Sequence, residues 1–159
     1  MATSPAVAAS ACQSDQIPEI DLDNYTIFET EHFTVRQIGD YRVPGYLVVL
    51  SKPDCTMLTE YSREQTADLI ECISRAEEIV HRVIEPERIY VMKFGEVNPR
   101  IHFHIFPRTA KIGDAYTSEV DDQKPYCGAR LVDWVWKNHE SLGFSDEEIQ
   151  AFVDSARMN

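Results

Sequence analysis

The sequence predicts an α+β fold: an antiparallel sheet of about five strands, one long helix packed on it, and helices at the C-terminal end. Three observations carry this. Short apolar or alternating runs flank a single long stretch of helical spacing, the connections on each side of that stretch have hairpin length, and the periodicity turns helical again beyond Tyr126.

The runs Tyr25–Phe28, Phe33–Ile38 and Gly45–Leu50 are separated by acidic, Gly or Pro turns and read as an antiparallel meander. From Ser62 to Ile84, apolar residues at Ala67, Ile70, Ile73, Ala76, Val80 and Val83 follow a helical period, and Ser62 stands three before Gln65 in a capping-box pattern. Pro86 ends that helix, and Arg88–Phe94 and Arg100–Pro107 read as two further strands joined across Gly95 to Pro99. Leu131, Val132, Trp134 and Val135 mark a first C-terminal helix, and Ser145 with Glu148 caps a second that runs toward Met158. Trp134 and Trp136 are two apart and face different sides of their helix, so one packs inside while the other can cover a ligand or a second subunit.

Residues 20–159 are expected to form one domain, which at this length buries a core without metal or disulfide staples. Residues 1–19 are rich in Ala and Ser and contain no Lys or Arg, so they lack the basic start of a signal peptide and read as a disordered tail. Cys12, Cys55, Cys72 and Cys127 form no C-x-x-C pair, which fits reduced thiols and a cytoplasmic location. No window is apolar enough to span a membrane. The net charge of −12 repels phosphate at long range and argues against binding a nucleic-acid polymer. Within that acidic body, Arg88, Lys93, Arg100, Arg108 and Lys111 face only Glu96, a local balance of +4 that reads either as a solvated strand face or as an anion site.

The chemistry concentrates in Arg100-Ile-His-Phe-His-Ile-Phe-Pro-Arg108. Side chains alternate across a strand, so Arg100, His102, His104 and Phe106 share one face, and Ile101, Phe103 and Ile105 form an apolar face suited to the Ser62–Ile84 helix. Two imidazoles about 7 Å apart along a strand can ligate a metal, hold an anion, or act as nucleophile and stabiliser. A metal site needs a third protein ligand, and His32, His81 and His139 lie in unrelated segments, so no metal is expected.

The run His-Phe-His-Ile-Phe-Pro-Arg resembles the end of the His-φ-His-φ-His-φ-φ motif of the histidine triad superfamily, especially its dinucleoside polyphosphate hydrolase branch, where Pro-Arg follows. The resemblance extends from about Tyr25 to Gly113 and takes in Val-Pro-Gly-Tyr-Leu-Val-Val-Leu, Leu58-Thr-Glu and a glycine ahead of the histidine strand. It implies the α+β fold of that superfamily. It also implies a hydrolase or nucleotidyl transferase that attacks the α-phosphate of a nucleoside polyphosphate or phosphoramidate through a covalent phosphohistidine. On that resemblance His102 is the nucleophile and His104 holds the phosphate oxygens. No cofactor is required, Mg²⁺ enters only as a counter-ion of the substrate, and a homodimer is implied, with the terminal helices and their Trp residues offering an interface.

The match is incomplete. Arg100 stands where the first histidine of the triad belongs, and it can favour neutral His102 by repulsion, donate to a phosphate or a backbone carbonyl, or point to solvent. Tyr46 stands where relatives often place another histidine, and Ile38 roughly where an acidic or amide side chain holds the ribose. Asn98 and Gly95 serve either the turn or a phosphate contact. Gln37 or Asp40 can supply the ribose contact, and Phe28, Phe33 and Ile38 can wall the base. These departures sustain a second reading, a nucleotide-binding module with little or no turnover.

Overall fold

The computed structural model describes residues 24–158; the expected N-terminal tail lies outside them. Five strands form one antiparallel sheet: β1 (Thr26–Glu29), β2 (Phe33–Gln37), β3 (Leu47–Ser51), β4 (Arg88–Met92) and β5 (His102–Arg108), in the spatial order β1-β2-β3-β5-β4. Helix α1 (Arg63–Ile84) separates β3 from β4, and α2 (Ala110–Glu119), α3 (Gly128–Asn138) and α4 (Asp146–Arg157) follow β5. No helix among the described residues is long and apolar enough to cross a membrane.

The capping signals act as expected. Ser62 accepts from the Gln65 backbone while Gln65 reaches back to Ser62, and Ser145 and Glu148 do the same for α4. Helix α1 ends at Glu85, in the left-handed region at φ 50°, directly before Pro86. Its buried stripe is Leu69, Cys72, Ala76, Ile79 and Val80; of the expected residues Ala76 and Val80 are buried and Ile73 and Val83 pack against the same core, whereas Ile70 is 58% exposed and Ala67 faces solvent. At 100° per residue Ala67 falls roughly opposite Ala76, so one helix cannot bury both.

The sheet carries a core on each face. Phe33, Val35, Leu47, Val49, Ile101 and Ile105 pack with α1 and α4. On the other face Val48, Phe106 and Tyr46 pack with Ile112 and Tyr116 of α2 and Leu131, Val132 and Val135 of α3. Phe106 is therefore fully buried, and the histidine face is not the open surface that its polar residues imply. Helix α2 has no counterpart in the expected elements; Thr109 caps it by accepting from the Ile112 backbone.

The loop between β2 and β3 is tied from inside. Gln37, with no exposed surface, donates to the carbonyls of Ile38 and Val43 and accepts from the Gly45 amide, each at 2.9 Å. Gly45 itself has φ 81°, and a Cβ there would stand 2.7 Å from Ile84 Cγ1. Gly45→Ala should combine a left-handed backbone with overpacking and cost about 2–4 kcal/mol in urea unfolding. Gly95→Ala, where a Cβ meets nothing within 4 Å, should stay within about 0.5 kcal/mol of the parent. Equal losses at the two positions would contradict this account of the loop.

Candidate active site

Register assigns the faces. Val35 pairs with Val49 and Val49 with Phe103, all turned toward α1, whereas Arg36 pairs with Val48, Val48 with His104, and His104 with Met92 on the opposite face. His102 sits one step along the same face, paired with Leu50. The two imidazoles meet edge to face with centroids 5.1 Å apart.

His102 Nδ1 lies 2.8 Å from the backbone carbonyl of Arg100. A carbonyl only accepts, so Nδ1 carries the hydrogen and, in the neutral ring, Nε2 holds the lone pair. The peptide unit that carries this carbonyl is held by the Ile101 amide, which donates to the Cys55 carbonyl at 2.9 Å, and on the other side of the Arg100 Cα the Oδ1 of Asn98 accepts from the Arg100 amide at 3.0 Å. Asn98 thus serves the turn ahead of β5, and the Ile101–Cys55 bond fixes the carbonyl that orients His102.

The Arg100 side chain turns away from this work. It precedes β5, and its Nε donates to Asp54 Oδ1 at 3.3 Å, with Arg100 about half exposed and Asp54 largely in solvent. What residue 100 gives His102 is its main-chain oxygen, which any residue type supplies.

His104 stands in an aromatic enclosure. Phe94 and Tyr46 approach its ring with centroids at 5.8 Å and Trp136 at 6.2 Å, and Tyr41 stacks on both Tyr46 and Trp136. Tyr46 Oη lies 3.0 Å from His104 Nδ1 and accepts a hydrogen bond from Trp136 Nε1 at 2.9 Å. Burial, reinforced by repulsion from His102, lowers His104 from its ordinary 6.5 to about 4.

Phe28, Phe33 and Gln37 are not brought here. Phe28 packs on the α1 side with the Arg75 guanidinium 4.0 Å above its ring, and Phe33 is fully buried in that same core. Gln37 points to the α1 side and its amide is spent inside the loop, so neither Phe28 nor Gln37 reaches the histidine face. Ile38 is on that side but only 8% exposed, packed with Val43 and Tyr46. Gly95 lies in the exposed loop ahead of β5. Trp134 is inside the second core, and Trp136, half-buried, is the indole at the site.

Two features lack a sequence expectation. Arg36, half-buried, shares the row of His104 at about 10 Å by strand spacing, and its Nε is buried without a hydrogen-bond partner among the described residues. A groove of about 550 Å³ opens beside Phe94 and Trp136, between Met92 of β4 and Val132 and Asp133 of α3. Both depend on pairings between distant parts of the chain.

The lowered His104 has a measurable consequence. Above pH 6.5 folded and unfolded chains both hold it neutral; between 6.5 and about 4 the unfolded chain takes up a proton that the folded chain refuses, so stability falls as pH falls. The stability difference between wild type and His104→Gln, measured by urea unfolding, should therefore narrow from pH 7 to pH 4.5. A difference that stays constant over that window would contradict the buried neutral ring.

No family model matches the chain, and no curated protein matches it in sequence. Solved structures do resemble it. A Hit-like protein involved in cell-cycle regulation from Bartonella henselae superposes with a TM-score of 0.53 at 16% identity over 84% of each chain. A histidine triad protein from Bradyrhizobium japonicum does so with a TM-score of 0.56 at 20% identity, over 83% of this chain and 87% of that one. A histidine triad protein from Marinobacter aquaeolei VT8 gives 0.50 at 18% identity, over 76% and 90%. The chain therefore has the α+β fold of the histidine triad proteins, with a five-stranded antiparallel sheet and four α-helices among its described residues.

Proposed function

We propose that this protein is a nucleotide phosphohydrolase or nucleotidyl transferase in which His102 Nε2 attacks the α-phosphate of a nucleoside polyphosphate or phosphoramidate. The observation that carries the reading is the 2.8 Å hydrogen bond from His102 Nδ1 to the Arg100 carbonyl, because it leaves the lone pair on the nitrogen away from the backbone. Attack forms an N–P bond while the bond from phosphorus to the leaving group breaks, and that group departs with the electron pair. Water, or another acceptor, then displaces the imidazole and releases the nucleoside monophosphate or its transfer product.

The surroundings supply what such a displacement needs. His104 stands beside the attacking ring to donate to the phosphate oxygens, where developing charge is best met by a fixed donor. Arg36 offers a cation on the same face for a longer phosphate chain, and the groove beside Phe94 and Trp136 offers apolar walls for a base. Divalent metal enters this reading only as the counter-ion of the phosphates.

One observation favours a second reading, a nucleotide-binding module with little or no turnover: the Gln37 amide, one of the two expected ribose contacts beside Asp40, is consumed by Ile38, Val43 and Gly45. The two separate on product release. Purified protein given dinucleoside polyphosphates, nucleoside phosphoramidates and nucleotide sugars should release a nucleoside monophosphate from at least one class, and His102→Ala should lower that rate by about 10³-fold or more. Binding with no release supports the module; release that survives His102→Ala contradicts the mechanism.

A further inference from the structure

Tyr46 and Trp136 touch the site but have no part in the displacement just described. Tyr46, at the entrance to β3, has no exposed surface, and Trp136 comes from the last turn of α3. An indole N–H only donates, so the 2.9 Å contact makes Tyr46 Oη its acceptor. The phenol then has one hydrogen to place. Among the described residues the acceptor within hydrogen-bond distance of Oη is His104 Nδ1, at 3.0 Å.

The reverse arrangement, with His104 Nδ1–H donating to Oη, would aim two donors at one oxygen and leave the buried hydroxyl hydrogen without an acceptor. A ring that accepts at Nδ1 and is neutral carries its hydrogen on Nε2. We infer that Tyr46 and Trp136 are positioning residues, a two-bond relay from α3 through β3 that holds His104 as a neutral Nε2–H donor beside the attacking ring.

The relay gives the two histidines opposite tautomers by opposite means. A carbonyl, which only accepts, puts the His102 hydrogen on Nδ1; a hydroxyl whose other valence is filled by an indole donor puts the His104 hydrogen on Nε2. Burial raises the Tyr46 phenol, so its hydrogen stays in place, and Tyr41 stacks on both partners. Loss of the phenol hydroxyl would leave His104 in the same enclosure with nothing to select its tautomer.

This inference rests on the phosphate-transfer reading for its purpose, but its geometry is testable without substrate. ¹⁵N-labelled imidazole NMR of the whole protein at pH 7.5 should show His104 unprotonated at Nδ1 and protonated at Nε2. Tyr46→Phe, which preserves the ring, should release that preference toward a mixture, and Trp136→Phe should release it in part. In turnover, Tyr46→Phe should lower kcat by about tenfold with KM within about twofold, less than the roughly 100-fold or more expected for loss of the donor itself. An Nδ1–H tautomer in the wild type, or a tautomer unchanged in Tyr46→Phe, would overturn the inference even if turnover fell. A locked tautomer released by Tyr46→Phe in a protein that turns nothing over would uphold the relay and overturn the phosphate-transfer reading instead.

Discussion

Ile101, Phe103 and Ile105 commit one face of the histidine segment to the core under α1, while Phe106 commits the other to the core under α2 and α3. Between these two demands β5 cannot slip by a residue without turning apolar side chains out and polar ones in. Pairing with β3 on one side and β4 on the other fixes the same register twice. His102 and His104 inherit their places from this: they lie on the face of the second core but at its margin, where the cover of α3 gives way and the rings are half-buried rather than enclosed or free.

That margin produces two different imidazoles from one strand. His102 is next to the turn ahead of β5, and the Cys55 carbonyl, the Arg100–Ile101 peptide and the imidazole form a short chain of hydrogen bonds that needs no particular side chain at residue 100. His104, one step further in, is under Trp136 and Tyr46, where burial keeps it neutral. Neutrality in one ring limits repulsion with the other, so a nucleophile and a donor can stand with ring centroids 5.1 Å apart.

Much of this was readable from local pattern. Capping boxes place α1 and α4 because the signals lie within four residues, and alternation identifies the α1 face of β5 because three large apolar side chains share it. The same parity places Gln37 with Phe33 and Val35, so its burial was readable too, against its expected role at the ribose. Helix α2 hides because Gly113, Thr117 and Ser118 weaken its propensity, and it forms because Ile112 and Tyr116 have a core to enter. The phase of α1 needs the partner surface, since Ile70 and Leu69 are equally apolar in sequence. The aromatic enclosure is least legible: Tyr46 meets Trp136 across 90 positions and His104 across 58, and no local periodicity encodes such contacts.

The proposed chemistry turns on a single nitrogen, His102 Nε2. Rapid acid-free quench of the protein with a turnover substrate, followed by peptide mass mapping, should find a nucleotidyl group on His102 and none on His104. An adduct on any other residue, or product formed with no adduct while His102→Ala remains active, would contradict it.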